Sequence, residues 1–156
     1  MRFLGNIEAK VDAKGRAFLP AAFRKVLQAS GCERVVMRKD VFQPCITLYP
    51  EEVWNAQMDS LRARLNRWNA AHQQLFRQFV SDVEVLSIDA SGRILLPKRY
   101  MQMTDITAEV KFIGMGDTIE IWSASHTQQP FLDANTFGQA LEELMAEPQP
   151  ETQDHA

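Results

Sequence analysis

The side chains best placed to do chemistry are arginines held at fixed offsets from an aspartate and a glycine. Asp12-Ala13-Lys14-Gly15-Arg16-Ala17-Phe18-Leu19-Pro20 returns 77 residues later as Asp89-Ala90-Ser91-Gly92-Arg93-Ile94-Leu95-Leu96-Pro97, with six identities in nine positions. Asp followed three positions on by Gly is the composition of a type I turn, in which the carboxylate caps a nearby N–H and the glycine closes the bend. Asp12, Gly15, Asp89 and Gly92 are therefore read as turn residues. Arginine is not required by such a turn. At Arg16 and Arg93 a guanidinium can grip phosphates or guanine edges through its bidentate fork, and Lys14 adds a point charge to the first tip. Arg24 and Lys25, on the helix expected after the first phrase, and Lys98, opening the helix after the second, extend the set. The candidate nucleic-acid-binding residues are thus Lys14, Arg16, Arg24, Lys25, Arg93 and Lys98. The competing reading pairs Arg16 and Arg93 with Asp12 and Asp89 inside the turns and leaves Arg24 and Lys25 as solvated surface. One guanidinium can serve both roles.

Other chemistries find less support. A hydrolytic dyad of Asp12 and Asp89 competes with the structural need of each turn for an Asp. His72, His126 and His155 lack the i, i+4 spacing of a metal-binding helix, and Cys32 and Cys45 lack the paired spacing of a zinc site or disulfide framework. No serine sits in a G-x-S-x-G setting. Gly114-Met115-Gly116-Asp117 lacks the third glycine and the following helix of a phosphate loop, and reads as a hairpin turn. No catalytic residue, metal, cofactor or small-molecule substrate is expected, and the chain does not read as an enzyme.

The formal net charge of −3 conceals a strong asymmetry. Residues 142–156 hold five acids and no Lys or Arg, whereas residues 1–39 hold nine basic side chains against three acids. Such a local patch, not the whole-chain balance, governs phosphate binding. No secretory leader and no run of about 18 apolar residues is visible, so a soluble, cytoplasmic protein without a membrane partner is expected.

The elements that must carry these residues follow from periodicity. Strands are predicted over Phe3–Val11, Ala17–Leu19, Val35–Met37 and Cys45–Tyr49, with Pro20 at the first position of a helix over Ala21–Ala29 that Ser30-Gly31 stops. The second copy repeats the order with Val83–Ile88, Ile94–Leu96, a helix Pro97–Met103, Val110–Ile113 and Ile119–Trp122. Its last hairpin is shorter by four residues, a difference assigned to the hairpin tip. Between the copies, Trp54, Met58, Leu61, Leu65, Trp68, His72, Leu75 and Phe79 form a helical stripe, with a break favoured at Asn66 and Asn69. The stripe is read as core packing, with a subunit interface as the sharper alternative, and Arg62, Arg64 and Arg67 as a solvated face. A last helix is predicted over Asp133–Ala146, followed by an acidic, proline-bearing tail without structure. Half-length units of this size are marginal alone, so the two copies should share a core or oligomerise.

The duplicated D-x-x-G-R…P phrase, opened by Phe3-Leu4-Gly5 and followed in the first copy by Leu48-Tyr49-Pro50, closely resembles the MraZ family, bacterial proteins with two AbrB-like (SpoVT-AbrB, swapped-hairpin) units in one chain. The resemblance covers about residues 1–125. It implies an α+β, mainly β fold in which units 6–52 and 83–126 interlock as one pseudo-symmetric, double-ψ-like barrel. A helical insert 53–81, a C-terminal helix 131–146 and a disordered acidic tail 147–156 complete this division. The resemblance also implies a ring-shaped homo-oligomer, nucleoid association, and binding to double-stranded promoter repeats. The implied role is transcriptional control of the division and cell-wall gene cluster, including its own promoter. DNA binding is implied for Asp12, Lys14, Gly15 and Arg16 and for Asp89, Gly92 and Arg93. Ser91 in place of Lys14 predicts that the first copy makes the stronger contact. The alternative is an antitoxin-like protein-binding module that uses residues 131–156.

Overall fold

Short stretches of apolar and polar residues fold into eight strands and five helices among the described residues, which in this computed structural model are 1–88, 90–126 and 130–148. The first copy contributes β1 (Asn6–Lys10), β2 (Arg16–Phe18), α1 (Ala21–Ala29), β3 (Arg34–Lys39) and β4 (Cys45–Pro50). The insert contributes α2 (Glu51–Arg64) and α3 (Ala70–Ser81). The second copy contributes β5 (Glu84–Ser87), β6 (Arg93–Leu95), α4 (Lys98–Met103), β7 (Glu109–Gly114) and β8 (Ile119–Ser123), and α5 (Ala134–Ala146) follows.

The strands form a six-stranded sheet in the order β1-β7-β8-β4-β3-β5 and a two-stranded ribbon of β2 with β6, all pairs antiparallel. Each copy gives away its first strand: β1 pairs with β7 of the second copy, and β5 pairs with β3 of the first. The central β4–β8 pair and the β2–β6 ribbon join equivalent strands of the two copies. The result is a mixed, mainly antiparallel fold in which the two repeats are interlocked. Alternation then decides the core. Val35 and Met37, Ile46 and Leu48, Val110 and Phe112, and Ile119 and Ile121 bury on one sheet face with Leu19, Phe23, Leu27, Ile94, Leu96 and Tyr100. Phe3 meets Phe23 edge-on at 5.7 Å between ring centres.

Several details differ from the sequence reading. The first strand starts at Asn6, because Gly5 takes a φ of +107° and leaves Phe3 only an isolated bridge to Gly116. Pro20, Pro50 and Pro97 occupy the cap position with ψ of 138–142°, one residue before the helix, not the first helical turn. A fixed proline φ suits either place; the extended ψ is that of a cap residue, and the turn into the helix begins at the next residue. The four-residue shortening of the second copy is split. Two residues are lost before β7, where α4 has six residues against nine in α1, and two at the hairpin, where Gly114↔Ile119 replaces Lys39↔Ile46.

The insert is broken as favoured. Leu65 leaves the helix with ψ of 144°, and Asn69 caps α3 by accepting from the N–H groups of Ala71 and His72. Trp54 stacks on Phe79, Arg62 lies over Phe76, and the Asn66 N–H donates to His72 Nδ1, so the two helices fold back on one another. Trp54 and Phe79 pack with Val36 and Tyr49 on the outer sheet face. The continuous stripe does not survive the break, because Trp68 is 96% exposed and Leu75 half-exposed, while Phe76 takes the inward place.

The second compact unit begins at His126. Its helix α5 is capped by Asp133, which accepts from the Thr136 N–H and hydroxyl, and it buries no side chain; Phe137, Leu141 and Leu144 are exposed. Of the acidic ending expected to lack structure, residues 149–156 lie outside the described residues. No helix is long and apolar enough to cross a membrane among the described residues.

Candidate nucleic-acid interface

The first phrase folds as the tight turn that its composition predicts. Asp12 Oδ1 accepts from the Lys14 and Arg16 N–H groups at 2.9 and 2.8 Å, the Gly15 N–H donates to the Asp12 carbonyl, and Gly15 sits at φ +84°. The Arg16 Nε donates to Asp12 Oδ2 at 2.9 Å. These donors hold the Asp12 carboxyl below its ordinary range, the Arg16 backbone N–H contributing most. The bland pairing of Arg16 with Asp12 is therefore real, and it leaves the guanidinium a third exposed.

In the second phrase Asp89 lies outside the described residues, so its turn role and any pairing with Arg93 are not described. Gly92 takes φ +81°, matching Gly15, and the Arg93 Nε donates to Ser91 Oγ at 2.8 Å. Across the copies the two turns grip each other. The Leu96 N–H donates to the Gly15 carbonyl at 2.8 Å, and the Leu19 N–H donates to the Gly92 carbonyl at 2.9 Å.

This reciprocal grip fixes the β2–β6 ribbon and decides which side chains face out. Ala17 and Ile94 are opposite one another and buried. The opposite face therefore carries Arg16 across from Leu95 and Phe18 across from Arg93, with Phe18 59% and Leu95 57% exposed. The structure brings Arg16 and Arg93 together on one surface, about 7 Å apart along the ribbon, and both line one groove beside β5. Lys14 is exposed at the first tip.

The helices distribute the remaining candidates unequally. Arg24 reaches from α1 across to the second turn, where a Cβ on Gly92 would meet its Cδ at 2.7 Å, and its Nε is buried without a hydrogen-bond partner. The repeat-equivalent residue on α4 is Met101, whose sulfur lies 3.5 Å from the corresponding point on Gly15. Lys25 and Lys98 are exposed on α1 and α4. Arg99, next to Lys98, is held by Asp82 and Glu84 and stacked on Tyr100. Two other members of the N-terminal basic patch are structural: Arg34 pairs with Glu51, and Arg38 donates to the Phe79 and Lys39 carbonyls. The placement of Arg24 over the opposite turn escaped the sequence reading, because the contact spans the two copies; Arg at one repeat position and Met at its equivalent was the available signal.

Among the described residues, Asp40, Cys45 and Glu120 bring potential metal-ligand atoms within 4.8 Å of one another. Local hydrogen bonding accounts for the carboxylates: Asp40 accepts from the Phe42 and Gln43 N–H groups, and Glu120 accepts from Trp122 Nε1. Burial, reinforced by both carboxylates, pushes the Cys45 thiol up, which favours the protonated form that does not ligate.

A family model described as "MraZ protein, putative antitoxin-like" matches residues 2–78 and again 79–147. The chain belongs to the MraZ family. It is 59% identical over 145 residues to "Transcriptional regulator MraZ" of Bacteroides thetaiotaomicron, covering 93% of each chain. It is 58% identical over 147 residues to the protein of that name from Bacteroides fragilis, covering 94% of this chain and 93% of the relative. The relative of that name in Christiangramia forsetii is 33% identical over 146 residues, covering 93% of this chain and 94% of its own. The two family matches divide the chain close to the start of β5, so the duplication first visible as a repeated phrase extends through both halves.

Proposed function

We propose that this protein is a DNA-binding transcriptional regulator, not an enzyme, and that it acts as a ring-shaped homo-oligomer on promoter repeats of the bacterial division and cell-wall gene cluster, its own promoter included. The observation that carries the reading is the β2–β6 ribbon, whose outward face holds Arg16 and Arg93 with exposed Phe18 and Leu95. A two-stranded ribbon fits the major groove of DNA, and guanidinium groups on it can reach both phosphates and guanine edges. Lys14 reinforces the first tip, with Arg24, Lys25 and Lys98 flanking. Asp12, Gly15 and Gly92 shape the tips, and the repeat assigns Asp89 the part of Asp12. The relatives' shared name supports the regulatory role.

In the same reading, the exchanged strands close as one pseudo-symmetric, double-ψ-like barrel built from AbrB-like units 6–52 and 83–126. The insert 53–81, the helix 131–146 and the acidic tail 147–156 are appended to it. The ring draws on exposed apolar side chains, including Phe137, Leu141 and Leu144 of α5. Few contacts per subunit then suffice, since linked sites raise effective concentration and each neutralised phosphate releases counterions. The protein works in the cytoplasm, on the nucleoid.

The test is a mobility-shift titration against the promoter of its own operon at rising salt. Binding that falls steeply with salt and is lost in Arg16→Ala supports the reading; binding unchanged in that variant removes the site. Native mass spectrometry at micromolar concentration checks the ring, which a strict monomer contradicts. The apolar face of α5 and the family description favour one second reading, an antitoxin-like module that caps a protein partner with residues 131–156. Promoter binding lost in Arg16→Ala, with no protein partner lost when 131–156 is removed, disposes of it.

A further inference from the structure

The helical insert carries a second cationic surface, lined by none of the ribbon residues. Residues 60–81 contain four arginines, Arg62, Arg64, Arg67 and Arg77, and no acid. Three of them, Arg62, Arg67 and Arg77, line one cavity of about 490 Å³ together with His72 and Phe76. None of the three holds a salt bridge among the described residues. Like charges gathered around one concavity repel, and a polyanion relieves that repulsion.

At the tip of the same hairpin Trp68 is 96% exposed, while Trp54 and Trp122 are 6% and 2% exposed. The loop that carries it is firmly held. The Trp68 N–H donates to Asn66 Oδ1, the Gln73 side chain donates to the Arg67 carbonyl, and the Asn66 N–H donates to His72 Nδ1. The hairpin tip thus presents a solvated indole, next in sequence to Arg67, and a concavity lined by three guanidinium groups without salt bridges among the described residues. An aromatic face and phosphate-binding cations on one element are the combination that engages nucleic-acid strands.

We propose that the α2–α3 hairpin tip is a second nucleic-acid contact, in which Arg62, Arg67 and Arg77 hold backbone phosphates and Trp68 packs against a base or sugar. This goes beyond the ribbon reading and stands on separate residues. It places the acid-free segment in contact with DNA that the ribbon does not cover.

Fluorescence anisotropy with labelled duplex DNA across a salt series tests it. Relative to the wild-type chain, Arg62→Gln/Arg67→Gln/Arg77→Gln is expected to weaken binding at least tenfold near ~0.1 M salt and to lower the salt slope by about 2–3. A second variant, Arg67→Gln/Trp68→Ala, leaves the Arg62–Phe76 contact in place and should weaken binding as well. Since Trp68 is the exposed tryptophan of the three, bound DNA should also protect wild-type fluorescence from acrylamide. Unchanged affinity and slope in both variants, with native circular dichroism, overturn the proposal, as does protection of Trp68 by polyglutamate but not by DNA. The ribbon variant Arg16→Ala/Arg93→Ala separates the two surfaces. Loss there with neither hairpin variant affected sinks only the hairpin, whereas loss in the hairpin variants alone sinks only the ribbon.

Discussion

The two D-x-x-G-R turns occupy equivalent places in the interlocked fold, yet they are furnished differently. The first carries Lys14 and an Arg16 pinned to Asp12, and it is covered by Met101 from the other copy. The second carries Ser91 and Arg93, and it is covered by Arg24 from the other copy. Glycine with positive φ, its carbonyl grip and the buried Ala17/Ile94 pair are common to both. The fold therefore demands the glycine and the strand; the arginine recurs at both tips, and the other cations differ. The expectation of a weaker second tip counted only the residues inside the phrase. With Arg24 arriving in trans, each turn has two cations within reach.

The strongest way to break this comparison is to remove the arginine common to both tips. Arg16→Ala/Arg93→Ala should weaken promoter binding by about a hundredfold or more in a mobility shift, two charge-assisted contacts contributing roughly 1.5–3 kcal/mol each; wild-type affinity would show that the ribbon is not the interface. Next come the glycines. A Cβ at Gly15 would sit 2.9 Å from the Leu96 backbone oxygen, whereas at Gly92 it would meet only the flexible Arg24 side chain. Both alanine variants suffer the positive-φ strain of about 1–2 kcal/mol, so Gly15→Ala should melt several degrees lower than Gly92→Ala. Equal melting temperatures contradict the asymmetry.

A gentler exchange swaps the coverings. Arg24→Met, which gives both turns the same cover, and Lys14→Ser, which gives both tips the same local residue, should each lower the salt slope by about 0.9. A normal slope in Arg24→Met would leave the first copy, with Lys14, as the stronger contact. The smallest effect concerns protonation. Asp12 titrates below its ordinary value chiefly through the Arg16 backbone N–H, so Arg16→Ala should raise its pKa only partway, as followed by carboxyl NMR. Because the folded pKa is depressed, the carboxylate supports the turn at neutral pH, and that support disappears as pH falls through the folded pKa. A full return to the ordinary value would assign the effect to the side chain instead.

Much of the architecture was legible because local rules set it. Apolar alternation located the strands of both copies, Ser30-Gly31 ended α1, and Asn69 marked the break in the insert. Both turns were placed by their Gly, and the arginines stood out as residues the turn does not need. What stayed hidden depends on pairing across the copies. Nothing in β1 says that its partner is β7, about a hundred residues on, and nothing in α1 says that Arg24 crosses to Gly92. The stripe through Trp68 failed for a related reason: a periodicity of three and four continues through a loop in sequence, but the Asn66 and Asn69 caps redirect the chain in space. The family resemblance implied the swap, and the register supplied the residues that carry it.

The interlocked strands also set a timetable for synthesis. At roughly 5–20 residues per second, β1 leaves the ribosome some 5–20 s before β7 is made to receive it. During that interval the first copy has a bare strand and an unfilled sheet edge, both open to a neighbouring nascent chain. Two chains growing on one message would each offer the other the same first strand and sheet edge that pair within one chain. A helical insert that holds the copies apart by only a short folded hairpin raises the local concentration of the correct partner and favours closure within one chain.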